Sequence, residues 1–508
     1  MKPKNQADHT SYFTETLNAA ILAKWIARPN PAVGATLVVT PQSTSHRTKN
    51  TSQAKNLAPQ AESAHSPHLV TTGFTQPIGA AHAEIIALRK MTHLLAKNRS
   101  AKLTSAHLNK ELYVSLTPCT FQGRTPPCVT ALIKNNIDRV HIGLADNDPR
   151  IGNATTMLEK AGIEVLTDFP IAIKRQLFAL NEDYYFKHHT QYPLITVKYA
   201  MTLDGYTATH TGHSKWITGE HARSDANALR GHCDAVLIGA RTFLLDNPSL
   251  KTRLPTTQLT PTIRSIKHPR AVVWFSRDFS PQEQNDLKNS LSKYPSSSPY
   301  QLLTKKPTPH KDNKDVKNGR EPLSNNSNSN DNDNEPIFII QPHFNRIREI
   351  FSGYHVRFYE INAGALTKPS AFRAMIKDLA KMYHFNSIFV EGGAHTASLF
   401  RWSNLMHRII VYIAPKVMQD VGTVTSKQLS PLLAVGSYLK DIKHNGNQPP
   451  FPTPINPSKP PNKEPFTDLA ESFHKILAQD IRISAYKDDY HIIQSLRKQL
   501  IGTQTDSH

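Results

Sequence analysis

The sequence predicts a two-domain α/β protein, and three observations carry that expectation. Its 508 residues exceed what one hydrophobic core usually organises. Short β-branched runs alternate with amphipathic stretches in two separate blocks, the pattern of layered α/β folds. Three segments have compositions that cannot bury a core: 41–67, rich in Ser, Thr, Gln and His; 305–335, containing SNNSNSNDNDNE; and 445–465, with eight prolines. They read as disordered surface insertions, leaving blocks at about residues 1–170 and 190–500.

In the first block an amphipathic stretch from Tyr12 to Ala27 predicts a helix and Ala35 to Val39 (ATLVV) a strand. A helix, HAEIIALRKMTHLL, follows from His82, then a strand over Glu111 to Leu116 and a helix after Pro127. RVHIGLA from Arg139 is a strand, and TMLEKAGIEVL is a helix running through Gly162 into another strand. In the second block ITVKYAM, DAVLIGA, AVVWF, PIFII, HVRFYEI, SIFVEGG and RIIVYIAP read as strands of a mainly parallel sheet, with Ala371 to Tyr383 among the intervening helices. Near the end, DIRISAYKDDYHIIQ reads as a β pair turning at Lys487, Asp488 and Asp489.

Sixty Lys and Arg against forty Asp and Glu give a formal charge of +20. That excess could serve nucleic acid, an acidic membrane or phosphorylated small molecules. No compact Arg-rich arm marks a nucleic-acid binder, and no apolar run approaches the roughly 20 residues that span a bilayer. The opening MKPKNQADHTSYFTE lacks the apolar core of a signal peptide, so a soluble cytoplasmic protein is expected. Three cysteines, Cys119, Cys128 and Cys233, do not make a disulfide framework.

Two of those cysteines find another use. His82 and Glu84 form an H-A-E triplet at a predicted helix start, and Cys119 and Cys128 bracket PCTFQGRTPPC. One imidazole and two thiolates make a three-ligand zinc site with a fourth position open, the catalytic arrangement. Glu84, not itself a ligand, is placed to carry a proton from water to a departing amine, as in zinc nucleobase deaminases. Singly, each signal is what an isolated residue of its type usually is, a helix-capping histidine or a buried thiol. Together and in this order they point to zinc. A structural zinc in a nucleic-acid-binding protein is the competing reading, and it would need a fourth protein ligand.

Eight residues separate the two cysteines, where nucleobase deaminases generally carry a short C-x-x-C. That long loop ending in GRTPPC, with PNPAVG from Pro29 to Gly34, resembles the bifunctional riboflavin-biosynthesis deaminase/reductase family. The resemblance implies a cytidine-deaminase-like three-layer α/β/α domain followed by a dihydrofolate-reductase-like α/β domain. It implies that Asn30 holds the pyrimidine and that Arg124 and Thr125 lie near the ribose phosphate, although an exposed position is the other reading of Arg124. Asp146 is either a ribose ligand or a turn aspartate. This chain departs from the family at Thr117, where Glu is usual, at Thr75, and at Phe121 and Gln122, where His is common.

The resemblance continues through PLITVKYAMTLDGYTATHTGHSKWITGEHAR to LLDNPSLKTR. No G-x-G-x-x-G occurs; instead FVEGGAHTASLF runs from a strand through Gly392 and Gly393 into a helix, so backbone amides there can meet a cofactor phosphate. Gly393, Ala394, His395, Thr396, Ala397, Ser398 and Leu399 are the expected phosphate segment. By the same resemblance Ala200, Trp216, Thr242, Asp246 and Ser276 line an NADPH site. Ser214, Arg230, Leu250, Arg253 and Glu391 then line the substrate, with Lys198 and Asp204 as further site residues. Arginines suit a phosphorylated sugar. Lys198 and Glu391 both stand as candidates for proton transfer. The implied cofactors are Zn2+ and NADPH, the implied partner is a phosphorylated pyrimidine, and a homo-oligomer is expected. Towards the end the resemblance thins, with His407 where Asp is frequent and Gln419 where Gly is frequent.

Overall fold

The computed structural model describes residues 6–41, 69–97, 108–208, 217–253, 266–293, 298, 300–304, 306, 335–416, 472–477 and 480–486. The insertions expected at 41–67, 305–335 and 445–465 lie almost wholly outside the described residues, as do Ser214, Trp216 and Gln419. The chain forms two compact units that divide at Thr190, with Ile266 and Lys267 returning to the first.

The first unit comprises α1 (Gln6–Lys24), β1 (Gly34–Pro41), β2 (Leu69–Phe74), α2 (Ala83–Lys97), β3 (Leu108–Leu116), α3 (Cys128–Lys134), β4 (Arg139–Leu144), α4 (Ala154–Lys160), β5 (Glu164–Leu166), α5 (Ile171–Leu180) and α6 (Glu182–Thr190). Its sheet has the order β2-β1-β3-β4-β5, with β1 antiparallel to β2 and β3, and β3, β4 and β5 parallel. The face assignment follows from strand alternation. Phe74, opposite Gly34, packs with Ala19 and Ala23 of α1, so α1 covers that face. Gly73, one residue earlier, meets Ala83 and Ala87 of α2 on the other. The result is the expected three-layer α/β/α domain.

Sequence periodicity missed β2, whose LVTTGF run follows directly on a low-complexity segment, and α5 with α6. These last two extend the unit past residue 170 to Thr190. Asn181, between them, ties back to β1's approach: its Oδ1 accepts from Ala32 N at 2.7 Å and its Nδ2 donates to Ala32 O at 3.1 Å.

The second unit comprises β6 (Leu194–Thr202), α7 (Glu220–Gly231), β7 (Ala235–Gly239), α8 (Ala240–Asp246), β8 (Arg270–Trp274), α9 (Pro281–Ser292), β9 (Ile337–Ile340), α10 (Asn345–Phe351), β10 (Arg357–Glu360), α11 (Pro369–Met382), β11 (Ser387–Glu391), α12 (Ala394–Trp402), β12 (Arg408–Ala414), β13 (Ser472–Leu477) and β14 (Asp480–Tyr486). The sheet order is β10-β9-β8-β7-β11-β6-β12-β14-β13, parallel from β10 to β12. Inner strands such as IFII are buried on both faces, which is why they read as unbroken apolar runs. On α11 the buried residues Phe372, Met375, Ile376, Leu379 and Ala380 keep the i, i+3, i+4 spacing of a helix with one apolar face.

DIRISAY forms β14, whose antiparallel partners are β12 and the preceding SFHKIL strand β13. The turn expected at Lys487, Asp488 and Asp489 and the HIIQ segment after it lie outside the described residues.

Chain direction locates the functional end of each sheet. In the second unit β6 is followed by strands moving outward through β7, β8, β9 and β10, and β11 then returns between β6 and β7. Such a reversal leaves a crevice beyond the carboxyl ends of the central strands, where ligands bind in open α/β sheets.

Candidate active sites

In the first unit the amino end of β1 and the carboxyl ends of β2 and β3 share one edge, because β1 runs antiparallel to both. Thr75 N and Oγ1 donate to Val33 O at 3.0 and 3.4 Å, tying the PNPAVG loop to the end of β2. Asn30 is half-buried in that loop, its N–H bonded to Ala27 O at 3.0 Å. The chain then runs from Thr75 to His82, and from Leu116 to Cys119.

Three ligand atoms meet there. His82 Nδ1 lies 3.5 Å from Cys119 Sγ and 3.3 Å from Cys128 Sγ. Thr125 Oγ1 lies 3.3 Å from His82 Nε2, and a proton held on that bond leaves the Nδ1 lone pair facing the sulfurs. Thr125, expected near ribose phosphate, therefore has its hydroxyl on the imidazole. Cys128 opens α3, and its N–H donates to Cys119 Sγ at 3.3 Å. The hydrogen bond from Cys128 outweighs burial and pulls the Cys119 thiol down to about 4, the thiolate form a metal requires. Two sulfurs and one nitrogen within 4.8 Å of one another fit zinc.

Glu84 sits in the first turn of α2, 4% exposed. Burial first, and then the charge of Cys119, raise its carboxyl above the ordinary range. Gly73 sets its position. A Cβ there would stand 2.1 Å from Ala83 O and 2.7 Å from Ala87 N, both backbone atoms of α2. Gly73→Ala is expected to push α2 outward, at a cost of about 1–3 kcal/mol in stability, as overpacking usually does. Zinc retained after gel filtration should fall with it; full retention at unchanged melting temperature would show that α2 does not need this contact.

The other residues divide. Arg124 is exposed, its Cδ within 3.9 Å of where a Gly79 Cβ would stand. Asp146 is held by its own turn, its Oδ1 accepting from Asp148 N and Tyr184 Oη at 2.9 Å each, and burial raises it to about 6. That is the turn-aspartate reading. Thr117, where the family has Glu, accepts from Asp146 N through Oγ1 at 3.2 Å and so supports the same turn. Phe121 stacks under the Arg150 guanidinium at 4.5 Å.

In the second unit Arg230 of α7 grips Glu391 at the end of β11 through both nitrogens, Nε at 2.6 Å and Nη2 at 2.8 Å. Lys198 of β6 is Glu391's partner in the parallel register. Its ammonium stands 5.9 Å from the ring centre of Tyr412. Burial lowers the Lys198 pKa. Burial also works against the Glu391 carboxylate, but the Arg230 and Lys198 charges outweigh it and hold it below the ordinary range. Arg230, Glu391 and Lys198 therefore form one charged cluster at the reversal point.

Beside it lie two strand-to-helix turns. Gly239 caps α8 and Gly393 caps α12, on adjacent strands. Thr396 Oγ1 lies 2.8 Å from where a Gly239 Cβ would be, and Thr242 Oγ1 3.5 Å from a Gly392 Cβ. Gly392 has φ +140°, open to glycine at little cost. Gly392, Gly393, Thr242 and Thr396 are thus brought together, with Ala200 on β6 opposite Tyr412.

Some expected contacts can involve backbone only. Ala397 and Leu399 are 4% exposed within the core under α12, and Leu250 is 3% exposed in the opposite core. Those three side chains face apolar packing, and within α12 Ala397 N donates to Gly393 O at 3.5 Å while Leu399 O accepts from Ser403 N at 3.0 Å, so the amides open to a ligand lie at the helix start. His395 is exposed, and Ser398 Oγ donates to His395 O at 2.7 Å. Asp246 ends α8, Asp204 lies in the turn after β6, and Ser276 is exposed beyond β8. Arg253 is exposed, while its carbonyl accepts from the Asn227 amide on α7, the helix of Arg230. His407, where Asp is frequent, accepts Ile195 N–H on Nδ1 at 3.0 Å, an acceptor's task a carboxylate would equally perform.

Comparisons with known proteins agree with this division. Residues 6–144 match the family described as the cytidine and deoxycytidylate deaminase zinc-binding region, and residues 193–447 match the RibD C-terminal domain. The riboflavin biosynthesis protein RibD of Aquifex aeolicus is 30% identical over 411 residues, 81% of this chain and 88% of the relative. That of Bacillus amyloliquefaciens is 38% identical over 225 residues, 44% of this chain and 54% of its own length. The fold matches Acinetobacter baumannii RibD with a TM-score of 0.58 at 20% identity, over 94% of this chain and 98% of that one. No described helix is long and apolar enough to cross a membrane. On the matched zinc-binding region, the matched C-terminal domain and the near full-length Aquifex relative, the chain belongs to the RibD family of riboflavin biosynthesis proteins.

Proposed function

We propose that this chain deaminates the diaminopyrimidine ribosyl phosphate derived from GTP in its first unit, then reduces the ribosyl group of the product to a ribityl chain in its second. The coarser statement, a deaminase and reductase of riboflavin biosynthesis, follows from family membership. The observation that carries the finer reading is the meeting of His82 Nδ1, Cys119 Sγ and Cys128 Sγ beside a buried Glu84.

His82, Cys119 and Cys128 would hold zinc, which supplies the Lewis acidity that makes a water nucleophilic near neutral pH. Glu84 takes the proton of that water and returns one to the departing amine, so water enters and ammonia leaves. A carboxyl whose pKa burial has raised can both accept and release it. Asn30 orients the pyrimidine, and Arg124 is free in the surface loop to meet a phosphate.

In the second unit NADPH would supply the reducing equivalents. Within the segment Gly393 to Leu399, the amides from Gly393 to Thr396 would meet its phosphates at the start of α12, with Thr242, Asp246, Ala200, Trp216 and Ser276 along its length. The Arg230, Glu391 and Lys198 cluster, with Ser214, Leu250 and Arg253, would bind the sugar phosphate. A lysine whose pKa burial lowers can give up a proton. Cytoplasmic location and a homo-oligomeric assembly complete this reading.

Purified protein given the diaminopyrimidine substrate and zinc, with and without NADPH, should lose the amine in both reactions. It should gain two hydrogens only with NADPH, read by mass. NADPH oxidation on supplied deaminated compound without any deamination would overturn the first half of the proposal. Arg253→Ala should raise the reductase KM about 10- to 100-fold if the guanidinium binds phosphate, as loss of a charge-assisted hydrogen bond implies. An unchanged KM would remove Arg253 from the site.

A further inference from the structure

We propose that the first unit holds a second metal site, separate from the His82, Cys119 and Cys128 centre, in which His9, Glu111 and His141 bind a divalent first-row transition ion. The three residues come from α1, β3 and β4, and each offers one ligand atom within 4.8 Å of the others.

The site lies on the opposite face of the sheet from the deaminase centre. Val38 and Thr36 pair with Glu111 and Tyr113, and the Thr36 hydroxyl accepts from Thr16 of α1 at 2.9 Å. Glu111 and Tyr113 therefore point to the α1 side, whereas α2, which follows His82, covers the other. One ion cannot serve both clusters.

The donor geometry is that of a metal ligand set more than of a closed hydrogen-bond network. His141 is 1% exposed, and its Nδ1 is committed to Asp168 Oδ1 at 2.8 Å. Its Nε2 is buried, makes no hydrogen bond, and faces Glu111 Oε2 at 3.6 Å. A carboxylate on one ring nitrogen and an open second nitrogen is how histidine ligands are oriented in metal proteins. Tyr113 stacks on the His141 ring at 4.2 Å with 6° between planes, fixing that direction. The same tyrosine's Oη bridges His9 Nδ1 at 2.7 Å and Glu111 Oε2 at 3.2 Å. An ion between His9 and Glu111 takes over that bridge. Two imidazoles and one carboxylate suit zinc, nickel, cobalt or manganese rather than calcium or magnesium. Bound there, an ion would clamp the start of α1 to the sheet.

Cobalt(II) is the probe. The full chain, stripped with chelator and reloaded, should bind two equivalents by mass spectrometric metal analysis. His9→Ala should bind one, keep the thiolate-to-cobalt absorption of the cysteine site, and keep deaminase activity on zinc loading. Cys119→Ser/Cys128→Ser should also bind one, without that absorption. Asp168→Asn should weaken the second equivalent about 10- to 100-fold while leaving the first unchanged. A single equivalent in the unaltered chain, or two in folded His9→Ala, would overturn the proposal.

Discussion

Glu84→Gln should lower deamination by about a thousandfold, within the 10²–10⁴ range that a positioned acid/base group contributes, while zinc content and the reductase reaction on supplied deaminated substrate stay unchanged. The reasons are geometric. Glutamine keeps the size of Glu84 in its place at the first turn of α2, where 4% exposure leaves no room for a larger change. The metal ligands His82, Cys119 and Cys128 are untouched, so the binding set remains. What is lost is the proton carrier: an amide cannot take a proton from water or return one to the amine. Arg230, Glu391 and Lys198, the residues proposed for the reduction, belong to a different unit, so that reaction should continue. Parallel assays on one preparation, with the metal measured in each, would decide. Loss of both activities in a folded, zinc-loaded variant would mean that the two chemistries share a centre. A variant retaining a tenth or more of its deaminase rate would leave another group carrying the proton.

The meeting of His82, Cys119 and Cys128 was legible in the sequence because their residue types are scarce: few cysteines, one H-x-E triplet, and prolines around both thiols. The alternation of apolar runs likewise gave nearly every strand, since buried parallel strands leave little room for polar side chains. What could not be read depends on contact across sequence distance. Thr125's hold on His82 is a matter of loop shape, and Thr is too common to flag it. Gly73 looks like an ordinary glycine until α2 is seen lying against it. His9 and Tyr113 stand 104 positions apart, and no spacing rule joins them. Along the expected phosphate segment a helix turns its side chains around its axis, so Ala397 and Leu399 face the core while His395 faces outward, a division that a run of consecutive residues does not display.

Glu391→Ala should destabilise the second unit by about 3–5 kcal/mol, since it leaves the Arg230 guanidinium buried without its partner. For a domain of this size that is a fall of roughly 6–20 °C in its melting temperature. The magnitude follows from the geometry. Both side chains are about 15% exposed and joined by two short charge-assisted bonds, so neither can turn to water cheaply. Lys198, next to Glu391 in the register, loses its counter-charge at the same time. The sign with pH follows as well. Glu391's folded pKa lies below its unfolded value, so its stabilisation is complete above the usual carboxylate range and is lost as pH falls through the lower, folded value. Arg230→Met with Glu391→Leu separates structure from chemistry. An apolar pair of similar volume often replaces a buried ion pair at little cost, so the double variant should recover most of the melting temperature. It should not recover reduction if these charges bind the sugar. Activity returning with stability would make the pair a scaffold, and would leave Lys198 and Arg253 to handle the substrate.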